Sequence, residues 1–351
     1  YTDGTASILL EPQSTNLVTY SEDFSNASWT KVESTVTGGF TSPDGTSNAY
    51  KLIASVNNSN HRLRSAVTPT GAVGTSVTFS VFCKPEEITK IAFADNWTNL
   101  TYSAVDLTTN SVIESALVTT NITELFNGFV RISFNYLTSN INTLPAIYLL
   151  DDGYVSGNPT AYTFSGNGAD GVLIYGIQLE ALSHATSYIP TSGAIATRLA
   201  DLVTGAGDAS TFNSTEGVLY AEMAALADDG AIRYITISDG TVNNILSITF
   251  FNNSTITSRI TIGGTNTYLV SGVITQTDNF KVALKWGLNN YALWVNGVEV
   301  DSNNLLGVFA PDTMSTLDFK RASALFFGKV KSVITFDTAL TDAELECLTT
   351  I

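Results

Sequence analysis

The sequence predicts an all-β protein built from two tandem antiparallel β-sandwiches, with one short helix near its C-terminal end. Two observations support this fold class: a low content of charged residues and a repeated alternation of apolar and polar residues. Charged residues make up 14% of the 351 residues, against roughly 25% in average soluble domains. Ser, Thr, Asn and Gly take their place, and these residues disfavour helices but suit strands and turns.

The first half of the chain contains three stretches with a strict period of two, which is typical of strands with one buried face. They lie at residues 75–85, 129–137 and 171–180. The residues predicted to share one face in each strand are Val77, Phe79, Val81 and Cys83, then Val130, Ile132, Phe134 and Tyr136, and finally Leu173, Tyr175, Ile177 and Leu179. Polar turn clusters at 42–48 and 165–171 separate the strands, as in an antiparallel sandwich.

The second half has its own strand signals and the predicted helix. Strands are predicted at residues 217–226, 232–240, 245–251, 280–300 (a hairpin) and 327–337. The Asn296-Gly297 pair between apolar runs predicts a type I′ turn. In residues 341–348, Thr341 is followed three positions later by Glu344, which is the signature of a capping box at the start of a helix.

The chain is too long for one ordinary core and suits two domains. Residues 190–217 lack a sustained period and carry several glycines. We therefore predict a first domain at residues 1–199, a linker at 200–214 and a second domain at 215–351. The tryptophans predicted to lie in the cores are Trp29, Trp286 and Trp294.

The charge balance restricts the partners. Sixteen basic and 32 acidic residues give a net charge of −16, which repels a phosphate backbone and an anionic membrane surface. We therefore expect no nucleic-acid partner and no membrane insertion. Cys83 and Cys347 are too few for a disulfide framework, and neither belongs to a CxxC zinc motif. Neutral glycans and protein surfaces are the ligand classes left open.

The opening segment resembles the first strand of the jelly-roll carbohydrate-binding modules. The resemblance rests on Asn16-Leu17, Asp23-Phe24 and Trp29 in the run TNLVTYSEDFSNASWTKV, and on the later run VLIYGIQLEALSHATSYIPTSG. In that family the first and last strands lie side by side and close the sandwich. The resemblance implies the same closure here.

A wider set of strings, LLEPQSTNLVTYSEDFSNASW, YIPTSG and TRLAD, resembles a module that recurs in tail and fibre proteins of bacteriophages and prophages. The match covers most of residues 1–200 and is specific at both ends. It implies a location at the virion surface or outside the cell, contacts with other virion proteins, and a homo-oligomer, with a trimer favoured. Because the chain begins at Tyr1, we also expect it to be a fragment of a longer protein.

Residues 212–351 resemble the concanavalin A-like, laminin-G-like sandwich. The stretches that carry this resemblance are YALWVNGVEV and GKVKSVITFDTALTDAELECL. The resemblance implies a fold more securely than a function, because such sandwiches host lectins, enzymes and inert spacers.

The sequence contains no pattern typical of catalysis on these folds. Retaining glycosidases need two carboxylates about 5 Å apart, whereas the adjacent Asp151 and Asp152 lie beside a glycine and are typical of a turn. Lyases of this fold use a Gln-x-His strand, and neither His61 nor His184 has a glutamine two positions earlier. A Gly-x-Ser-x-Gly nucleophile elbow is also missing. We therefore expect no enzymatic activity.

Two segments of the first domain, residues 93–102 and 149–164, are the predicted ligand-binding face. Sugar rings stack on aromatic side chains, while their hydroxyls bond to amides and carboxylates. The predicted ligand-binding residues are Asp95, Trp97, Asn99, Tyr102, Asp151, Asp152 and Tyr154. The alternative is that Trp97 packs beneath a loop and contacts no ligand.

We expect no cofactor. The alternative is a structural calcium ion, since jelly-roll modules, which the first domain resembles, often hold Ca²⁺ with carboxylate and carbonyl oxygens. Asp23 and Asp170 are the candidate ligands. The acidic pair that the family often carries on its last strand is replaced here by Tyr175 and Gly176.

The resulting functional prediction is a non-catalytic recognition or adhesion module of a phage-type appendage that binds cell-surface glycan. Weak single contacts with sugars favour multivalent display. The first alternative is a purely structural decoration or spacer protein of the virion. The second is a secreted polysaccharide-degrading enzyme.

Overall fold

The computed structural model describes residues 6–67, 72–95, 101–116, 118–138, 144–304 and 307–351. These residues form antiparallel β-sheets and one short α-helix, which confirms the predicted fold class. The chain divides into two compact units. The first sandwich comprises residues 13–199, and the second sandwich comprises residues 1–12 together with 200–351.

The elements that precede and form the first sandwich are β1 (Ile8–Leu10), β2 (Ser14–Asn16), β3 (Trp29–Val32), β4 (Ser34–Phe40), β5 (Ala49–Ala54), β6 (Asn58–Ser59), β7 (His61–Ser65), β8 (Ser76–Pro85), β9 (Lys90–Asp95), β10 (Tyr102–Asp106), β11 (Ser111–Ala116), β12 (Val118–Glu124), β13 (Val130–Leu137), β14 (Pro145–Leu150), β15 (Phe164–Ser165), β16 (Gly171–Glu180) and β17 (Ala196–Arg198). The strand order is β11-β10-β9-β14-β7-β3 in one sheet and β12-β13-β8-β16-β5-β4 in the other. Two small ribbons, β6 with β15 and β2 with β17, complete this unit.

The remaining elements are β18 (Gly217–Ala225), β19 (Arg233–Ser238), β20 (Ile245–Phe251), β21 (Thr255–Ile262), β22 (Thr265–Val273), β23 (Phe280–Trp286), β24 (Tyr291–Val295), β25 (Val298–Asn303), β26 (Thr316–Asp318), β27 (Lys320–Arg321), β28 (Ala324–Leu325), β29 (Gly328–Phe336) and α1 (Asp342–Thr349). With β1 they form a six-stranded sheet, β1-β29-β18-β23-β24-β25, and a five-stranded sheet, β22-β21-β20-β19-β26. Strands β27 and β28 pair as a short hairpin.

The alternating residues predicted on β8 and β13 are all buried in the core of the first sandwich. One buried face is confirmed for β13, whereas β8 is buried on both faces, since Thr78, Ser80 and Phe82 are buried as well. Phe93 of the facing sheet stacks on Phe134 with ring centroids 5.0 Å apart. The three tryptophans predicted to be core residues are also buried: Trp29, Trp286 and Trp294.

The alternation predicted along β16 is wrong at its centre, because a bulge reverses the faces. Leu173 pairs with Lys84 on β8, but the register to β8 shifts between Tyr175 and Gln178. Gly176 makes this bulge with a φ of 58°, and a Cβ there would lie 2.8 Å from the Phe82 ring. Leu173 and Tyr175 therefore lie outside the central core, whereas the residues after the bulge point into it.

Residues 15–32, predicted to form the first strand, do not form one continuous strand. Asn16 ends β2, residues 21–28 contain bends and turns, and Trp29 begins β3. The polar spacing that resembled a strand comes from turn residues: Asp23 accepts the backbone N–H of Ser25 at 3.1 Å. Such Asx turns explain why amides and carboxylates alternate with apolar residues here.

The closure of the first sandwich nevertheless follows the expected arrangement, with its first segment beside its last strand. The backbone N–H of Leu17 donates to the carbonyl of Leu179 at 2.9 Å. The buried Asn16 amide donates to the carbonyls of Ile177 and Ile189, at 3.3 and 2.9 Å. Its oxygen accepts the N–H of Leu179 at 3.2 Å. The Asn16 amide thus joins the opening segment both to β16, through Ile177, and to the segment after β16, through Ile189.

The domain boundaries differ from the prediction at both ends of the first sandwich. Strand β1, which precedes the first sandwich, pairs with β29 at the far end of the chain. Residues 200–214, predicted as a linker, belong to the second sandwich, where Phe212 is buried in the core and Ala206 pairs with Leu317. The first sandwich is therefore inserted between β1 and the rest of the second sandwich, and the two are not simply tandem.

Two predicted local signals of the second sandwich are confirmed. Asn296 and Gly297 have φ values of 49° and 83°, as a type I′ turn requires. Thr341 caps α1, accepting the N–H of Glu344 while the Glu344 carboxylate accepts the N–H of Thr341. This reciprocal pair satisfies two free N–H groups at the start of the helix.

The position of β1 leads to a stability prediction. Leu10 is 4% exposed in the core of the second sandwich, whereas Ile8 on the same strand is 59% exposed. Leu10→Ala should lower the free energy of unfolding of the second sandwich by about 2–4 kcal/mol, because it leaves a cavity. Ile8→Ala should change it by less than about 0.5 kcal/mol.

Hydrogen exchange of backbone amides is the measurement that separates the two units. In Leu10→Ala, amides of β18 and β29 should lose protection while those of β8 and β13 keep theirs. Loss of protection in the first sandwich alone would contradict the assignment of β1 to the second.

Candidate functional site

One cavity of the first sandwich contains carboxylates from both predicted sites. It has a volume of about 300 Å³ and is lined by Asp151 and Asp152 after β14, by Asp170 before β16, and by Glu87. Asp151 and Asp152 were predicted to bind sugar, and Asp170 to bind calcium. The cavity is acidic, and the apolar side chains that line it, among them Phe164, are largely buried. It offers no open aromatic face for a sugar ring.

Tyr102 and Tyr154, which are predicted to contact sugar, and their neighbour Tyr162 form hydrogen bonds within the protein. Tyr154 is buried, and its hydroxyl donates to the carbonyl of Gly157 at 2.5 Å. Tyr102 donates to the carboxylate of Glu114 at 2.9 Å. The Tyr162 hydroxyl bonds to Asp151, and its ring meets Tyr154 edge to face at 5.1 Å. These residues fasten the segment after β14 onto the sheet.

The remaining predicted ligand-binding residues follow β9. Asp95, the last residue of β9, is buried. Trp97 and Asn99 lie outside the described residues.

The two aspartates predicted to bind calcium have different partners. Asp23 accepts the hydroxyl of Tyr50 at 3.2 Å, while the carbonyl of Asp170 accepts the N–H of Ala54 at 3.2 Å. Tyr50 and Ala54 are four residues apart on β5. No group of three His, Cys, Asp or Glu side chains that could hold a metal ion occurs in the described residues. Calcium binding by Asp23 and Asp170 stays a prediction.

Two other carboxylates do converge, at the position where the family's acidic pair is replaced. The hydroxyl of Tyr175 lies 3.0 Å from Glu22 and 3.1 Å from Asp44. Tyr188 also donates to Glu22 at 3.0 Å. Hydrogen bonds from Ser42 and Thr46 lower the pKa of Asp44 to about 2. Tyrosine hydroxyls therefore satisfy the carboxylates in this part of the first sandwich.

His61 is placed where it has no access to a substrate. The ring is buried, and its two nitrogens lie 2.5 Å from the carbonyl of Glu33 and 2.9 Å from the carbonyl of Phe164. Both nitrogens are thus used to connect backbone segments, which is a structural role.

The outer face of the five-stranded sheet in the second sandwich carries mainly polar side chains, most of them buried and only Tyr268 and Val270 well exposed. Apolar side chains such as Ile235 and Ile248 point into the core. The alternate positions point outward and form two cross-strand rows. The first row runs Tyr234, Thr249, Thr257 and Val270, and the second runs Thr236, Ser247, Arg259 and Tyr268.

A groove of about 270 Å³ lies on this face. We call it the tyrosine groove; its lining residues are Ile232, Tyr234, Thr249, Phe251, Thr257, Arg259 and Tyr268. Tyr234 on β19 and Tyr268 on β22 are three strand spacings apart, or about 14 Å. Threonine hydroxyls form the floor between them. The groove thus has the width of a short oligosaccharide, with an aromatic ring at each side.

Arginines hold both rings of the groove. The Arg259 guanidinium lies 5.8 Å from the Tyr268 ring centroid and donates to Asn266 at 2.7 Å. The Arg321 guanidinium lies 5.7 Å from the Tyr234 ring centroid. Tyr268 is 48% exposed, so its ring is open to a ligand, whereas Tyr234 is mostly covered.

A second cavity of about 240 Å³ lies on the same face, and Arg321 borders it. We call it the basic pocket; its polar lining residues include Thr236, Ser238, Asp318, Lys320 and Arg321. The hydroxyl of Thr236 donates to the carbonyl of Lys320 at 2.9 Å, which fixes the β27–β28 hairpin over β19. Tyr234 and Arg321 thus stand between the tyrosine groove and the basic pocket.

The sequence of β21 carries a signal for this surface. In the run TITSRITI of β21, Thr255, Thr257, Arg259 and Thr261 occupy every second position. Such alternation predicts one polar face. It does not reveal which residues of β19 and β22 stand beside it, because that depends on strand register.

Within the described residues, no helix has the length and apolar character needed to cross a membrane.

Comparisons with known proteins identify similar folds. No family model matches the chain, and no curated protein matches it. The heptameric SAP-like pentraxin of Limulus polyphemus is 13% identical, with a TM-score of 0.34, over 41% of this chain and 72% of that chain. CBM40 of the Ruminococcus gnavus IT-sialidase is 16% identical, with a TM-score of 0.36, over 43% and 97%. Domains LG4-5 of the mouse laminin α1 chain are 10% identical, with a TM-score of 0.28, over 82% and 90%. At these scores, the likeness says nothing about what this chain binds.

The anchored tyrosines of the first sandwich lead to a prediction at alkaline pH. Burial raises the pKa of Tyr154 to about 12, from about 10 in an unfolded chain. A raised folded-state pKa means that the stability contributed by the neutral hydroxyl is present below pH 10 and is lost as the pH rises through 12. In a spectrophotometric pH titration that follows tyrosinate formation, the Tyr154→Phe variant should therefore lack one step near pH 12 that the wild-type chain shows. Loss of a step near pH 10 would contradict the buried placement.

Proposed function

We propose that this protein is a non-catalytic carbohydrate-binding module and that its sugar site is the tyrosine groove of the second sandwich. The observation that carries the proposal is the exposed Tyr268 ring beside the Arg259 guanidinium, above the threonines that line the bottom of the groove. Sugars present both C–H faces, which stack on aromatic rings, and hydroxyls, which need hydrogen-bond partners. The groove supplies both kinds of contact on one rigid sheet.

The side chains around the groove support binding without chemistry. Thr249 and Thr257 provide hydroxyls, and Arg259 provides N–H donors; none of them is a general acid or base at neutral pH. Carboxylates line the cavity of the first sandwich instead, where the rings that would stack on a sugar are anchored. The groove is therefore the better candidate of the two.

We further propose that the module is part of a phage-type virion appendage, displayed on the virion surface or outside the cell as a homo-oligomer with a trimer favoured. The support is the resemblance of residues 1–200 to tail and fibre modules, together with the weakness of single sugar contacts. Linking several weak sites raises the overall affinity by orders of magnitude without any new contact. Cell-surface polysaccharide and other virion proteins are the partners in this proposal.

The structural role of a virion spacer is a second candidate, favoured by the edge strand β22. Its exposed apolar residues include Val270, at 40% exposed, and Val273, at 82% exposed. An exposed edge strand of this kind is a template for pairing with another chain. If β22 is a protein contact, Val273→Asp should abolish an oligomer that the wild-type chain forms in solution, as measured by light scattering.

The sugar site is tested by a glycan array followed by titration calorimetry on the tightest ligand. Tyr268→Ala should weaken binding about tenfold, because it removes a stacking contact of roughly 1–1.5 kcal/mol. Tyr268→Phe should keep most of the affinity, since the ring remains. Trp97→Ala tests the alternative site in the first sandwich and should leave the affinity unchanged.

Two outcomes would contradict the proposal. Binding that is lost in Trp97→Ala but kept in Tyr268→Ala would move the site to the first sandwich. A wild-type chain that binds no glycan but assembles into oligomers through β22 would favour the structural role.

A further inference from the structure

The basic pocket concentrates positive charge in a strongly acidic protein. The chain has a net charge of −16, yet Lys320 and Arg321 stand side by side on β27 and both line this pocket. In the described part of the chain, neither forms an ion pair with a carboxylate. Other basic residues are already paired with a carboxylate, as Lys285 is with Asp342. Two adjacent cations are thus left for a ligand.

The backbone directly after these two residues adopts an energetically unfavourable conformation. They precede the turn of the β27–β28 hairpin, where Ala322 has a φ of 51°. This left-handed conformation costs about 1 kcal/mol or more for a residue other than glycine. The bond from the Thr236 hydroxyl to the Lys320 carbonyl holds the hairpin in place. The backbone that carries both cations is therefore fixed relative to the sheet.

Arg321 connects the basic pocket with the tyrosine groove. Its guanidinium stacks over Tyr234, which lines the groove, while the side chain lines the pocket. Its Nε is buried and has no hydrogen-bond partner among the described residues. A planar guanidinium held against a ring in this way keeps its other donors available for a carboxylate or sulfate.

Building on the proposed sugar site, we propose that the ligand is an acidic glycan. Its sugar rings lie in the tyrosine groove, and a carboxylate or sulfate group on the next residue enters the basic pocket and binds Lys320 and Arg321. The two cavities lie on one sheet face with Tyr234 and Arg321 between them, so a single extended chain reaches both. Asp318 also lines the pocket, and its carboxylate accepts the backbone N–H of Gly205 at 2.7 Å.

The experiment measures binding of the full chain to immobilised polysaccharides at low and high salt. Polygalacturonate carries carboxylates, dextran sulfate carries sulfates, dextran is neutral, and duplex DNA is a polyanion without sugar-ring faces open to stacking. The wild-type chain should bind one of the acidic polysaccharides at least about tenfold tighter than dextran, since hydrogen bonds to charged groups contribute more than neutral ones. Salt should reduce this preference.

Two variants and a matched control assign the charge. Lys320→Gln leaves the stack of Arg321 on Tyr234 intact, and Arg321→Gln removes the guanidinium. Each should weaken binding of the acidic polysaccharide about tenfold and leave dextran binding within about twofold. Lys329→Gln removes the same charge from an exposed site on β29, in the other sheet, and should have less than a twofold effect on either polysaccharide.

The outcomes are distinguishable. A preference for either polygalacturonate or dextran sulfate supports the proposal and identifies the anionic group. Equal binding of acidic and neutral polysaccharides overturns it while leaving the proposed sugar site standing. Equal effects of Lys320→Gln and Lys329→Gln would mean that overall charge, and not the basic pocket, determines binding, and would overturn the proposal. DNA binding as tight as that of the acidic polysaccharide would overturn it for the same reason. Binding of no polysaccharide at all removes the proposed function itself.

Discussion

The whole architecture depends on hydrogen bonds that hold an early segment of the chain against a late one. In the second sandwich, two hydrogen bonds join Glu11 and Asp201: the N–H of Asp201 donates to the carbonyl of Glu11 at 2.9 Å, and the Asp201 carboxylate accepts the N–H of Glu11 at 2.8 Å. In the first sandwich, β2 pairs with β17, and the amide of Asn16 donates to the carbonyl of Ile177 on β16. These contacts allow one complete sandwich to sit within the chain of another.

The proposed sites follow from a simple rule of strands, that neighbouring residues face opposite ways. On β19 to β22 the inward positions supply Ile and Leu to the core, while the outward positions supply hydroxyls, Arg259 and two tyrosines. A rigid, well-packed core thus fixes the outward side chains without a loop having to hold them. Sites built on strands keep their geometry better than sites built on loops. That is a physical reason to favour this face over the loops of the first sandwich.

The sequence predicted the strands well because period two and turn residues are local signals. Val77 to Cys83 and the Asn296-Gly297 turn are where those signals placed them. The pairing of β1 with β29 was not predictable, since three residues carry too little pattern to identify a partner more than 300 positions away. The tyrosine groove was not predictable for the same reason. Tyr234 and Tyr268 line one groove only because of the register of four strands. Aromatic residues in loops are typical of sugar sites, but Tyr154 is a buried packing residue.

The insertion also determines an order of events during synthesis. When β1 leaves the ribosome, its partner β29 has not been made. Strand β1 therefore stays unpaired with β29 until almost the entire chain has been synthesised. The first sandwich emerges complete in between and contains all the partners of its own strands. Once it folds, β2 and β17 bring its two ends together, so the loop that separates β1 from β29 becomes effectively much shorter. Because closing a loop costs more entropy the longer it is, early folding of the first sandwich assists the second.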